Sequence, residues 1–575
     1  MKAIPTCRTR GDIETTSLTR NKDKPYDQFI KEQLAGDELK EIMGAGELPL
    51  ASPEQIVALT FLRLAPFTEP RGDETRHEML SEMTSTVGSV FLGLTVGCAK
   101  CHDHKHDDIP TADFYRMKAF FATVQILPPE RGDGFQIGGS IDADFYREDE
   151  KKWANQRRDE VTRQLDESKK ELKQLRETIA KRLEEKEKVD DVIRGDDKRV
   201  TNEERERFEF LTTLPRFLKQ DLKRLKPVAM SLRHSFGPPY EAGVPVSRVM
   251  ERGEYDNPGE IVEPGFLSAI TGNQDPAPIR LDPFKRWPTR SRRTALANWI
   301  ASGENPMTAR VMVNRLWHWH FGQGIVRTPS DFGELSGGPS HQALLDWLAV
   351  KFVEEKWSIK AMHRLIVNSA TYRQSSAHEN DQALIADPDN RLLWRFNRRR
   401  LDAEAIRDSV LHVSGRLNDE KYGLPIFPPL PGDVSEAVKY SNSKWNTQHG
   451  PEGRRRSVYI YQQRTLTMPL MQTFDSLVCE ETRPRRRSSV TPLQALAMMN
   501  GDFVNEEAEH FANRIQDSTS NANKQIETAF EIALGREPSK KEVARMSKLV
   551  SSENEKGLKS LCRVLLNANE FIYVD

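Results

Sequence analysis

The spacing of apolar positions divides this chain into helical blocks interrupted by one β-prone stretch. Pro25 to Leu39 (PYDQFIKEQLAGDEL) has hydrophobic residues at steps of three and four, which predicts a helix with one face turned to a core. Ser52 followed by Pro53 marks a second helix start, because a hydroxyl can accept from the first free N–H groups and proline suits the first helical turn. Glu78 to Gly97 reads as a helix that becomes almost wholly apolar towards its end, with Gly88, Gly93 and Gly97 leaving room for close contact. Such an end must be buried. Pro110 then opens an amphipathic helix with Phe114, Met117, Phe120 and Phe121 along one face.

From about Asp144 to Pro227, Val161, Leu165, Leu172, Leu175, Ile179 and Leu183 form a heptad-like seam among Glu, Lys and Arg. Thr201 with Glu204 is a capping-box pair that opens a returning helix through Phe208, Leu211, Leu214, Leu218 and Leu222, with Gly195 in the connection and a kink expected at Pro215. Val228 to Pro288 breaks into short β-prone pieces between Gly and Pro, and the remainder returns to helical spacing. The expected fold class is mainly α. Its parts are a helical segment over 22–130, a long antiparallel helical hairpin or coiled coil over 144–227, a small β subdomain over 228–288 and a large helical C-terminal domain over 289–575.

A length of 575 residues suits three or four domains at ~150 residues each. With 37% hydrophobic and 30% charged residues, no run approaches the ~18 to 20 apolar residues that a membrane-spanning helix needs. No transmembrane segment is expected. A net charge of -1 removes any global attraction to nucleic acid, and the runs Arg398–Arg400, Arg454–Arg456 and Arg485–Arg487 lack interleaved aromatic platforms. Five scattered cysteines make no disulfide framework, and the opening residues contain no apolar segment of a secretory signal.

The densest chemistry lies in Cys98 to Asp108 (CAKCHDHKHDD). Two thiols two residues apart on one turn can add to the vinyl groups of a haem, and the adjacent histidine then sits under the iron. That reading assigns haem c to Cys98 and Cys101, with His102 as the metal ligand. A competing non-haem site for zinc or iron uses Cys98, Cys101, His104 and His106, although zinc modules usually separate their ligand pairs by about a dozen residues. The third reading is two reduced cysteines beside solvated histidines. Candidates for a second axial ligand are Met117, Met79, Met83 and His77. Further on, Arg315, His320, His363, Arg407, Asp408 and Arg456 suggest either a buried ion-pair network or an anion pocket. No Ser-His-Asp elbow, phosphate loop or HExxH motif is present, so no catalytic residue is assigned.

The stretches DKPYDQFIKEQLAGD and GSVFLGLTVGCAKCHDHKHDDIPTADFYRMKAFFA resemble the planctomycete cytochrome-type domain (PSCyt-like). The family pattern behind the haem motif is His-Asp-His-Lys, an aromatic, Asp and Pro; here His106 replaces the aromatic and Asp108 the proline. Phrases such as RTALANWIASGENPMTARVMVNRLWHWHFGQGIVRTPSDFGELSGG and RRSVYIYQQRTLTMPLMQTFD are similar to the large planctomycete C-terminal domain (PSD-like) that accompanies it. The resemblance implies an extracytoplasmic, periplasmic or secreted c-type haem protein in electron transfer or oxidation, with a link to polysaccharide use carried by no residue here. It fails before about Asn21, which points to a start lacking its upstream signal segment. The alternative is a non-catalytic, metal-stabilised scaffold or glycan-binding protein. Expected partners are a redox protein or an anionic glycan.

Overall fold

A computed structural model describes residues 22–39, 52–63, 72–126, 148–183, 187–195, 197–224, 232–234, 244–279, 291–421, 425–431, 434, 445, 447–448, 450–462, 466–477, 483–552 and 556–574. The fold is mainly α, with only two-stranded sheets among the described residues. None of their helices is long and apolar enough to cross a membrane. Two compact units emerge, one made of 1–127, 230–420 and 426–575, the other chiefly of 128–229.

The first unit begins with α1 (Tyr26–Ala35) and α2 (Pro53–Ala58). At the start of α2 the Ser52 hydroxyl accepts from Gln55 N while the Gln55 side chain accepts from Ser52 N at 2.9 Å, a reciprocal cap. α3 (Asp73–Val87) continues into a wider π-type turn over Gly88–Leu92 and stops at Gly93. The single helix expected from Glu78 to Gly97 is therefore broken. At Gly93 the backbone takes φ +61°, and a Cβ there would fall 2.7 Å from Val311 Cγ2 and 2.8 Å from Phe332 Cδ2. Only glycine fits both demands. A 3₁₀ turn over Val96–Lys100 follows, then α4 (Thr111–Lys118) and β1 (Val124–Ile126).

The second unit is the expected hairpin: α5 (Glu148–Ala180), a short α6 (Val189–Arg194) in the connection, and α7 (Asn202–Arg224). Thr201 and Glu204 exchange the predicted capping bonds at 3.0 and 3.2 Å. Val161 and Leu165 pack with Leu218 near one end, whereas Ile179 packs with Phe208 near the other, as antiparallel helices require. Pro215 lies inside α7.

Back in the first unit, β2 (Leu232–His234) pairs antiparallel with β1, placing His234 opposite Val124. β3 (Ser247–Met250) and β4 (Pro258–Val262) form a hairpin with a bulge between Arg248 and Met250. The chain then turns helical: α8 (Arg292–Ile300), α9 (Thr308–Phe321), α10 (Gln342–Glu354) and α11 (Ile359–Val367). β5 (Arg399–Arg400) and α12 (Ala403–Val413) precede α13 (Pro492–Asn500), α14 (Asp502–Ser518), α15 (Ala522–Leu534), α16 (Lys540–Ser552) and α17 (Gly557–Leu566). β6 (Tyr573–Val574) closes the unit by pairing with β5.

Two cores hold this unit. The first joins Ile30, Met83, Phe91, Phe114 and Phe120 to Leu296, Leu316, Phe352 and Met362; the second runs from Ala403 through Phe511 and Leu561 to Ile572. Residues before 126 and residues 296–396 thus bury one another across the β-rich stretch, and the second core begins only at about 403. A charged clamp reinforces the first core. Arg293, wholly buried, donates to Leu34 O at 3.0 Å and to Asp37 Oδ2 at 2.8 Å, and lies 3.3 Å from the buried Glu38 carboxylate.

Candidate functional site

Buried Val96 and Ala99 pin the turn that follows Gly93, and this anchoring leaves the intervening Cys98 and the next-turn Cys101 exposed as free thiols. Gly253, at φ +77°, lies so close that a Cβ on it would meet Cys101 Sγ at 2.6 Å. His102 is exposed, and its Nδ1 lies 2.6 Å from Asp103 O. A carbonyl can only accept, so Nδ1 carries the proton and the Nε2 lone pair is left for a metal.

The rest of the acidic and histidine-rich run builds the loop. Asp103 Oδ1 accepts from Thr111 N at 2.8 Å and so caps α4. His104 Nδ1 accepts from Asp107 N at 2.8 Å and from His106 N at 3.3 Å, and its Nε2 bonds Thr95 Oγ1 at 2.9 Å. Asp107 Oδ1 accepts from Glu334 N at 2.9 Å, tying the loop to residues after α9. His106 is exposed. Both His104 nitrogens are thus engaged, and the alternative set Cys98, Cys101, His104 and His106 is not gathered. Among the described residues no group of three or more His, Cys, Asp or Glu side chains is placed to hold a metal ion. Of the second-axial-ligand candidates, Met79, Met83 and Met117 are buried in the first core, and the His77 ring is hydrogen-bonded to Lys118.

That last contact opens the most unusual environment nearby. α3, α4 and the approach to β3 enclose a cleft of about 560 Å³ lined by Arg76, His77, Tyr115, Lys118, Met250 and Tyr255 among others. Lys118 Nζ lies 2.6 Å from His77 Nδ1, and both residues are buried. Two cations cannot share that distance, so one partner must be neutral. Burial, with Lys118 and Lys100 adding to it, pulls His77 down to about 4. Burial, then Lys100, with Arg76 adding less and Glu78 opposing, brings Lys118 from 10.5 down to about 7. Glu78 itself is held by Lys100 Nζ at 2.7 and 2.8 Å. Tyr115 donates towards Lys100 O at 3.0 Å and Met250 O at 3.2 Å, so the cysteine turn, α4 and β3 meet at its hydroxyl. Burial first, then the neighbouring Cys101, raises this phenol well above its usual range. Sequence reasoning missed Lys118, because on α4 it reads as an ordinary solvated end of an amphipathic helix.

Two family models match the chain. Residues 18–126 match PSCyt2, a protein of unknown function (DUF1549), and residues 292–550 match PSD1, a protein of unknown function (DUF1553). The chain carries the planctomycete PSCyt–PSD pairing. No curated protein and no solved structure matches it. The cysteine turn and the Lys118 cleft both draw their principal residues from the PSCyt2 segment, and the first core is shared with PSD1.

Within PSD1, Arg315 and Arg407, two of the arginines singled out by sequence, donate to backbone carbonyls. Arg315 donates to Val90 O, to Ser89 O at 3.2 Å and to Ser330 Oγ at 3.2 Å, joining α9 to the π-type turn of PSCyt2. Arg407, buried in α12, donates to Arg455 O at 3.0 Å and Gly453 O at 2.7 Å, and burial lowers it to about 10. Arg456 is exposed and reaches Asp408 at 3.3 Å. His320 and His363 are joined at 2.8 Å, with His320 pulled down to about 4 by burial and by His363. The hydrogen bonds of Arg315 and Arg407 are those of a structural brace.

Proposed function

We propose that this PSCyt–PSD protein binds one haem c through thioethers to Cys98 and Cys101, with His102 Nε2 on the iron, and that it serves electron transfer or oxidation outside the cytoplasm. The observation that carries the reading is the His102 ring: Nδ1 bonds Asp103 O while Nε2 is left open on an exposed turn beside two free thiols. A ligating histidine commonly donates its second nitrogen to a backbone carbonyl, which fixes the tautomer and the ring plane. When bound, haem supplies one-electron chemistry at a potential tuned by axial ligation and burial. The protein's part is to hold the thiols on one turn, to fix the imidazole and to present this edge to a redox partner. The second reading, a scaffold or glycan-binding protein stabilised by zinc or iron, draws less support because His104 is occupied within its loop and Arg407 by carbonyls.

The deciding experiment expresses the chain with a secretion signal and the haem-attachment machinery. A pyridine haemochrome spectrum should report one haem per chain that survives denaturation, with attachment weakened by Cys98→Ser or Cys101→Ser and the iron spectrum disturbed most by His102→Ala. A colourless protein with stoichiometric zinc released by acid or chelator would favour the second reading. Neither haem nor metal in the secreted protein would leave the cysteines structural.

A further inference from the structure

The cleft beside the cysteine turn contains a lysine that no structural role accounts for. A buried ammonium is ordinarily paired with a carboxylate, as Arg293 is, because an unpaired buried charge costs several kcal/mol at about the scale of ion desolvation. Lys118 is only 9% exposed. Among the described residues no carboxylate makes an ion pair with it, and its one hydrogen-bonding partner is the His77 ring, at 2.6 Å to Nδ1. The nearest acid to influence it, Glu78, is committed to Lys100. The amine lies over the ring of Tyr115, 5.3 Å from its centroid, with the cationic Arg76 and Lys100 nearby, and Leu80 and Met250 line the same cleft. Burial and the two neighbouring cations disfavour the ammonium relative to the free amine, against a smaller opposing pull from the Tyr115 ring face and Glu78. The amine also lines an open cleft of about 560 Å³, the size of space that takes a small molecule.

We propose that Lys118 is a nucleophilic amine that captures a small aldehyde or ketone as an imine in this cleft, with His77 as a positioning residue that holds the amine by accepting its N–H. The bookkeeping of the step closes on itself. The nitrogen lone pair adds to the carbonyl carbon and the C=O π pair moves to oxygen. Two protons pass from nitrogen to oxygen, water leaves, and C=N replaces C=O. Nothing is oxidised or reduced, so no co-reactant is needed. A desolvated lysine beside other cationic groups is the setting in which such an amine is reactive at neutral pH. An anion is the rival occupant, because Arg76 and Arg248 also line the cleft, and the test separates the two.

The test needs no variant to fold. The full chain, in whichever haem state it is isolated, is exposed briefly to glycolaldehyde and cyanoborohydride at pH 7, and each lysine is scored by peptide mass spectrometry. An exposed lysine with pKa near 10.4 is almost wholly protonated at that pH. Lys118 should therefore be trapped at least about ten-fold faster than the exposed lysines, even after allowing for its weaker basicity. The His77→Gln variant should slow trapping at Lys118 and leave the exposed lysines unchanged. Trapping at Lys118 no faster than at the surface overturns the proposal. So does a chain that leaves Lys118 untrapped while sulfate binds one to one and is lost in Lys118→Met, which would make the cleft an anion site. Both readouts are independent of haem attachment.

Discussion

Arg293 and Lys118 are two buried basic side chains in one structural unit, and they are treated in opposite ways. Around Arg293, α1 supplies the Leu34 carbonyl and the segment after it supplies Asp37 and Glu38, so the charge is paired and α1 is fastened to α8. Around Lys118, α3 offers a histidine, the neighbouring Lys100 and Arg76 are positive, and the one acid that bears on it, Glu78, is itself held by Lys100. Where the fold needs a cation for cohesion it supplies the counter-charges; where it omits them, the group faces an open cleft.

The sharpest way to break that contrast is Arg293→Met. Leaving the buried Glu38 and the neighbouring Asp37 without their partner should cost ~3–5 kcal/mol in urea unfolding, the usual penalty for removing one side of a buried pair. A change under about 1 kcal/mol would mean that Arg293 is no better matched than Lys118.

The counterpart is Lys118→Met, which should stabilise. For Lys118 the folded value near 7 lies below the unfolded 10.5, so between those limits the unfolded chain binds more protons and stability rises with pH. The burial cost is full below pH 7. Removing the amine should therefore gain about 2–4 kcal/mol at pH 6.5, and the gain should fade as pH approaches 10.5. Thermal melts of both proteins across that range check it; a loss of stability at pH 6.5 would show Lys118 to be a fastening after all.

A smaller effect belongs to His77. Its folded value near 4 lies below the ordinary 6.5, so the neutral ring contributes stability present above pH 6.5 and lost as pH falls through 4. About 2 kcal/mol should disappear over that interval, and His77→Gln should flatten that part of the profile. An unchanged profile would place the acid sensitivity on other groups, such as His320, which shares the same depressed range.

At the bottom of the scale stands Arg207–Glu171 in the helical hairpin, a pair at 2.6 Å with both side chains nearly half exposed. Arg207→Ala should cost at most about 0.5 kcal/mol, since solvent screens such pairs. A loss comparable with Arg293→Met would show that distance alone, not burial, sets the value of an ion pair here.

Much of the architecture was legible because it is local. Ser52 with Gln55 and Thr201 with Glu204 cap helices through residues three apart, and the seam from Val161 to Ile179 needs only the helical repeat. The exposed cysteine turn was equally readable, since Cys98, Cys101 and His102 are neighbours in sequence. What sequence could not give depends on distant contacts. The spacing from Glu78 predicts a helix to Gly97, whereas the helix stops at Gly93, where the chain packs closely on Val311 and Phe332, more than two hundred residues away. His104 looks like a ligand in a row of histidines until Thr95 and the Asp107 amide take its two nitrogens. Lys118 looks solvated on α4, and its burial comes from α3 and from the segment entering β3.

The shared first core has a consequence for heredity. Ile30, Phe91 and Phe120 from the PSCyt2 segment and Leu296, Phe352 and Met362 from PSD1 fill one interior, and Arg315 and Arg293 each reach from the later segment into the earlier one. A recombination event that parted the two stretches would leave each with half an interior open to water, so the gene can shuffle other modules around this pair more freely than it can divide it.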